Sequence, residues 1–211
     1  MAQKSFEDFQ HIEYVFLDRD GVINRKPPEG QYVSKWKYFD VLPGVEEAIA
    51  RLNETGHRVI VVTNQRGISL RHYTEQDLAE LHRQMLGYFA SRGAHINAIY
   101  YCPHDREQCD CRKPGPGMFL QAFNEFPGAA SSNSVVVGDS ISDIEAGLRL
   151  GMKTIFLHGY PGVQKPGAER AAAIATVTSD SLRDAVFKYL APDRSANNPN
   201  REPPITGSHA L

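Results

Sequence analysis

The sequence predicts an α/β fold in which a parallel sheet is flanked by helices. Short apolar runs recur along the chain, helical patterns separate them, and three of the runs stop at polar, chemistry-bearing tips. That alternation is what a parallel sheet with crossover helices requires.

Tyr14-Val15-Phe16-Leu17 reads as the first strand. Between Gly44 and Gly56, Val45, Ala48, Ile49 and Leu52 recur on one helical face, and Gly56 serves as the C-cap. Val59 to Val62 is a second strand, β-branched throughout and suited to burial on both faces. Thr74 with Asp77 resembles a capping box at the head of a long helix with the stripe Leu78, Leu81, Met85 and Phe89. Ile96 to Tyr101 is a third strand, Met118 to Phe126 a short helix, and Val135-Val136-Val137 a fourth strand. Ile141 to Leu150 is helical and ends at Gly151, and Thr154 to Leu157 is a fifth strand. Ser179 is expected to cap a last helix that runs through Leu190.

With 211 residues, 41% hydrophobic and 23% charged, the chain suffices for one domain over residues 1–190 with a real core. Residues 191–211 are rich in Pro, Asn and Ser and read as a flexible tail. A formal net charge of −2 gives no global basic field for nucleic acid. The first residues lack the apolar region of a secretory signal, and no stretch reaches the roughly 20 apolar residues that span a bilayer. The expectation is a cytoplasmic, monomeric enzyme with neither nucleic acid nor membrane as partner.

The first strand runs into Asp18-Arg19-Asp20-Gly21, the second into Thr63-Asn64-Gln65, and the fourth into Gly138-Asp139-Ser140, with Asp143 four residues on. The carboxyl ends of parallel strands open into one crevice, so these tips should converge. Alternation places Asp18 and Asp20 on one side and sends Arg19 the other way. Two close carboxylates can divide labour as ionised nucleophile and protonated acid. A carboxylate attacking a phosphate dianion meets like charge, so a cation must lie between them. Asp18 and Asp139, with the backbone carbonyl of Asp20, offer hard oxygen ligands to Mg²⁺. Asp143 reads as a ligand, a support behind the ligands, or a helix-dipole partner. Thr63, Asn64 and nearby backbone N–H groups can hold phosphoryl oxygens, and Lys113 supplies positive charge for the transition state. Gln65, Arg66, Arg112, Tyr32 and Ser140 are the expected substrate contacts. Arg71 suits either a remote phosphate or solvent, while Trp36 with Lys35 and Lys37 suits either a sugar pocket or plain packing.

At these residues the chain resembles the haloacid dehalogenase superfamily. Asp18-x-Asp20-Gly21, Thr63-Asn64, Lys113 and Gly138-Asp139-x3-Asp143 match its four motifs in order. The resemblance implies a Rossmann-like fold and a phosphomonoester hydrolase that forms an aspartyl-phosphate on Asp18. Asp20 would then protonate the leaving alkoxide and activate the hydrolytic water. The short span between Gly21 and Gly44 leaves no room for a large cap domain, so loops should wall the site, chiefly residues 25–41 and the cysteine loop.

Cys102-Pro103-His104 followed by Cys109-Asp110-Cys111 forms C-x-H-x4-C-x-C. Four such ligands at hairpin spacing suit tetrahedral Zn²⁺, and with no open position that zinc would be structural. Arg112 and Lys113 follow directly, so a clamped loop would present both cations at little ordering cost. The histidines at 11, 57, 72, 82, 95, 158 and 209 lack such company and read as surface or satisfied residues.

The run YYCPHDREQCDCRKPGPGM resembles two phosphatase families, the heptose 1,7-bisphosphate and the histidinol-phosphate phosphatases. Asp18-Arg19-Asp20-Gly21-x-Ile23-Asn24, Thr63-Asn64-Gln65-x-Gly67-Ile68 and Pro116-Gly117-Met118 favour the heptose family, although Arg66 stands where that family usually has Ser. This implies removal of the 7-phosphate from D-glycero-D-manno-heptose 1,7-bisphosphate, on the way to heptose nucleotides and lipopolysaccharide. Histidinol phosphate, a nucleic acid 3′-end and a non-catalytic zinc-stapled role are the competing readings.

Overall fold

The computed structural model describes residues 6–28, 30–159 and 166–193. Most of the expected tail, with His209, lies outside the described residues. Among the described residues, six strands form one parallel sheet: β1 (Tyr14–Leu17), β2 (Arg58–Asn64), β3 (Ala98–Cys102), β4 (Ser134–Gly138), β5 (Lys153–Leu157) and β6 (Val177–Ser179). Their order is β3-β2-β1-β4-β5-β6, and every neighbouring pair is parallel. The strand order switches direction at β1, which lies between β2 and β4, so the crevice falls at the carboxyl end of β1.

Both sheet faces are covered. Val15, Leu17, Val59, Val61, Val135 and Val137 face a core built with α1 (Val45–Glu54) and α2 (Glu75–Ala90). Phe16, Ile60, Val62 and Val136 face the other side, against α3 (Gly117–Glu125) and α4 (Ile141–Arg149). The alternating residues of the central strands are thus all buried, which is why the strands read as continuous apolar runs. Each such side chain contributes about 1.5–3 kcal/mol by leaving water. The capping box at α2 is present in both directions: Asp77 N donates to Thr74 Oγ1 at 3.1 Å, and Thr74 N donates to Asp77 Oδ2 at 2.8 Å.

Two elements lie beyond the sequence reading. The helix α5 (Ala168–Ile174) buries only alanines, Ala168 and Ala171, so it shows no large apolar stripe. Strand β6 has three residues at the sheet edge, too short for a period to register. Its presence corrects the last helix cap. Ser179 ends β6, and Ser181 caps α6 (Leu182–Ala185), accepting from Asp184 N at 3.1 Å. A π-helical turn, Val186–Leu190, continues it. Among the described residues no helix is long and apolar enough to cross a membrane.

Candidate active site

Strand β1 ends at Leu17, and Asp18 N continues the ladder by donating to Val137 O at 3.0 Å. The chain then turns sharply: the N–H groups of Val22, Ile23 and Asn24 all donate to Arg19 O, at 3.3, 2.8 and 3.1 Å. Gly21 holds φ 105°, and a Cβ there would lie 2.2 Å from Asp139 Oδ2, so only glycine lets the turn approach β4 this closely. The three tips converge as expected. Asp18, Asp20, Thr63, Lys113 and Asp143 line one cavity of about 760 Å³.

Lys113 is the electrostatic centre. Its Nζ lies 2.9 Å from Asp18 Oδ1 and 2.7 Å from Asp143 Oδ1, and it donates to Val62 O at 2.6 Å. Burial alone would lower its pKa, but the Asp143 and Asp18 carboxylates raise it above the ordinary lysine value, so it stays charged. Asp143, fully buried, also caps its own helix: Ser140 N and Oγ both donate to its Oδ2, at 3.0 and 2.6 Å. Of the three roles the sequence left open for Asp143, it has a place in two, because ligand-capable oxygens of Asp18, Asp139 and Asp143 all lie within 4.8 Å of one another. Lys26, which the sequence did not single out, pairs with Asp139 Oδ2 at 2.7 Å.

Asp20 is held differently. Arg19 Nη2 donates to both its oxygens at 3.0 and 2.9 Å, Asn24 Nδ2 to Oδ1 at 2.9 Å, and Gln65 Nε2 to Oδ2 at 3.2 Å. Strand alternation predicts that Arg19 turns away; it does reach the far core, but the turn after Leu17 brings Asp20 to it. Arg19 is 0% exposed and lies over the Phe39 ring, with Nη1 3.3 Å from His82 Nε2. Burial, with Arg19 beside it, pushes His82 down to about 3, so His82 is neutral and accepts from Arg19. The Asp20 carboxylate, engaged by these donors, stands outside the carboxylate cluster of Asp18, Asp139 and Asp143.

The other expected contacts divide. Tyr32, Arg112 and Ser140 line the cavity, joined by Arg106, which the sequence did not single out. Tyr32 stacks on His72 at 5.0 Å. Arg112 keeps a buried Nη1 without a hydrogen-bond partner among the described residues. Asn64 also lines the cavity, but both ends of its amide engage the Lys113 backbone, at 3.0 and 3.1 Å, so it positions the lysine. Gln65 also lines the cavity, buried between Asp20, Thr63 and Tyr73. Arg66 lines the cavity too, but its guanidinium forks onto Asp105, Nε to Oδ1 at 2.5 Å and Nη2 to Oδ2 at 3.2 Å, which ties the loop after β2 to the cysteine loop. Arg71 is exposed and Trp36 packs on Phe39 and Tyr88; neither is among the described residues that line the cavity.

Ligand atoms of Cys102, His104, Cys109 and Cys111 lie within 4.8 Å of one another, and this set can hold a metal ion. His104 Nδ1 sits 3.3 Å from Cys111 Sγ and 3.7 Å from Cys102 Sγ, while Cys109 Sγ is 3.4 Å from Cys102 Sγ.

A family model described as HAD-hydrolase-like matches residues 110–185. A D-glycero-beta-D-manno-heptose-1,7-bisphosphate 7-phosphatase of Vibrio cholerae is 42% identical over 184 residues, covering 83% of this chain and 95% of that protein. A D-glycero-alpha-D-manno-heptose-1,7-bisphosphate 7-phosphatase of Mycobacterium tuberculosis is 42% identical over 181 residues, covering 85% and 88%. Among solved structures, a D,D-heptose 1,7-bisphosphate phosphatase from B. bronchiseptica, complexed with magnesium and phosphate, superposes with a TM-score of 0.72 at 27% identity, over 83% of this chain and 96% of that one. The chain is thus a phosphatase of the haloacid dehalogenase type and belongs to the heptose 1,7-bisphosphate 7-phosphatase family.

Proposed function

We propose that the enzyme removes the 7-phosphate of D-glycero-D-manno-heptose 1,7-bisphosphate through an aspartyl-phosphate on Asp18. The Asp18 carboxylate attacks phosphorus, the bond to the sugar oxygen breaks, and Asp20 gives that oxygen a proton. Water then attacks the phosphorus of the aspartyl-phosphate, Asp20 takes up its proton, and Asp18 and inorganic phosphate are released. Lys113 and Thr63 hold the charge and the oxygens of the moving group. Asp18, Asp139 and Asp143 form a hard-oxygen set fit for Mg²⁺, which would offset the negative charge gathered around the phosphoryl group, with the Asp20 carbonyl the further donor expected from the sequence.

The observation that carries the substrate is Arg112. The reacting phosphate occupies the Asp18 end of the cavity, so a second phosphate must rest elsewhere. Arg112 lines the same cavity with a buried Nη1 that has no hydrogen-bond partner among the described residues, and Arg106 lines that cavity too. A phosphate suits such donors geometrically and by charge. Arg66 is a weaker candidate because Asp105 already takes two of its nitrogens. Arg112→Ala should lower kcat/KM for the bisphosphate by about 10- to 100-fold, the scale of a lost charge-assisted contact. A sugar monophosphate of similar size should lose far less. Equal losses would place Arg112 on the reacting phosphate, and preference for histidinol phosphate or a 3′-phosphorylated oligonucleotide would defeat the heptose reading.

The cysteine loop is read as a structural zinc site. Tetrahedral zinc with Zn–S of about 2.3 Å and Zn–N of about 2.0 Å spaces its ligands roughly 3.5–3.8 Å apart. The spacings here run from 3.0 Å, between Cys109 and Cys111, to 3.7 Å, so a small outward shift of the sulfurs would seat the ion. Metal analysis should find one zinc per chain, and Cys109→Ser should lower both zinc content and thermal midpoint. A zinc-free preparation with unchanged melting and activity would contradict the assignment.

A further inference from the structure

A glutamine side chain ends in one acceptor and one donor group, and its neighbours decide which way round it lies. Gln65 is 2% exposed, so its protein neighbours dominate that choice. A carboxyl oxygen that carries no proton can only accept, and Asp20 Oδ2 takes the Nε2 end at 3.2 Å. The Tyr73 phenol donates to the opposite end, Oε1, at 2.5 Å. Burial raises Tyr73 above the ordinary phenol value, so the proton stays in place. The second Nε2 hydrogen goes to Thr63 Oγ1 at 2.8 Å. A threonine hydroxyl that accepts this bond keeps its own hydrogen to donate, and Thr63 lines the cavity with Asp18. The Tyr73 ring is itself wedged: a Cβ at Gly67 would lie 2.2 Å from its Cε1 and 2.9 Å from the Tyr32 ring.

We infer that Tyr73 and Gln65 are positioning residues that set hydrogen-bond polarity in the site. The phenol fixes the amide, and the amide turns the Thr63 hydrogen toward the transferring phosphoryl oxygen while steadying Asp20 for proton transfer. This rests on the roles of Thr63 and Asp20 in the proposed function. Without the phenol hydrogen the amide can reverse. Oε1 would then face the lone pairs of Asp20 Oδ2, which repel it, and would draw the Thr63 hydrogen inward, away from phosphate.

The test is a double-mutant cycle of Tyr73→Phe and Gln65→Met on metal-loaded enzyme, with heptose 1,7-bisphosphate and p-nitrophenyl phosphate as substrates and thermal unfolding followed in parallel. Tyr73→Phe should lower kcat about tenfold, the scale of one buried hydrogen bond, with KM nearly unchanged. The sugar phosphate should lose more than the aryl phosphate, whose leaving group needs less help from Asp20. The double variant should be no slower than Gln65→Met alone, because the phenol acts only through the amide. A Tyr73→Phe enzyme with wild-type kcat on both substrates, even if less stable, would overturn the relay and leave the Asp18 and Asp20 roles standing. Losses that multiply in the double variant would also overturn it. Failure of the wild type to turn over either substrate would defeat the underlying reading instead.

Discussion

Asp18→Asn should abolish turnover without lowering the thermal midpoint. An amide oxygen is too weak a nucleophile to attack phosphorus, and removing a covalent nucleophile costs on the order of 10⁴-fold or more in kcat. The fold should tolerate the change because Asp18 stands in a crowded cluster, where its carboxylate meets those of Asp139 and Asp143 within 4.8 Å. Lys113 keeps Asp143 at 2.7 Å as an ionised partner, so no buried charge is stranded. Kinetics and melting of the same preparation check both halves. Retention of a tenth of wild-type activity would exclude covalent catalysis by Asp18.

Asp20→Asn should be damaging in a different way. Loss of the proton donor and acceptor should cost about 10²–10⁴-fold in kcat, more for the sugar phosphate than for p-nitrophenyl phosphate. Equal loss on both would count against the acid role. This variant should also be less stable, because Arg19 is fully buried and Asp20 accepts from its Nη2 through both oxygens. Breaking a fully buried pair costs about 3–5 kcal/mol; the Asp20 side chain is 22% exposed, so about 2 kcal/mol is expected. The contrast in melting between the two aspartate variants is a property of the turn after β1.

That turn also marks where the sequence ceases to be legible. Apolar runs such as Tyr14–Leu17 and Val59–Val62 announce strands buried on both faces, and the polar residues that follow them announce the crevice. The convergence of Asp18, Thr63 and Asp139 is therefore readable from pattern alone, as is the clustering of the cysteine–histidine set. What escaped depends on backbone that has no period. Arg19 meets Asp20 only because three N–H groups fold back on the Arg19 carbonyl. Lys26 reaches Asp139 across a loop without regular structure. Tyr73 sits immediately before the Thr74 cap, where an apolar residue reads as helix packing, yet its hydroxyl serves Gln65. Strand β6 escaped because a three-residue edge strand carries too little pattern.

The central claim is that phosphate passes through Asp18 before it reaches water. The most direct measurement is the stereochemical course at phosphorus, using a phosphate ester made chiral with oxygen isotopes. Two successive in-line displacements, first by Asp18 and then by water, predict net retention of configuration. Net inversion would mean that water attacks the ester directly and that Asp18 is not the nucleophile.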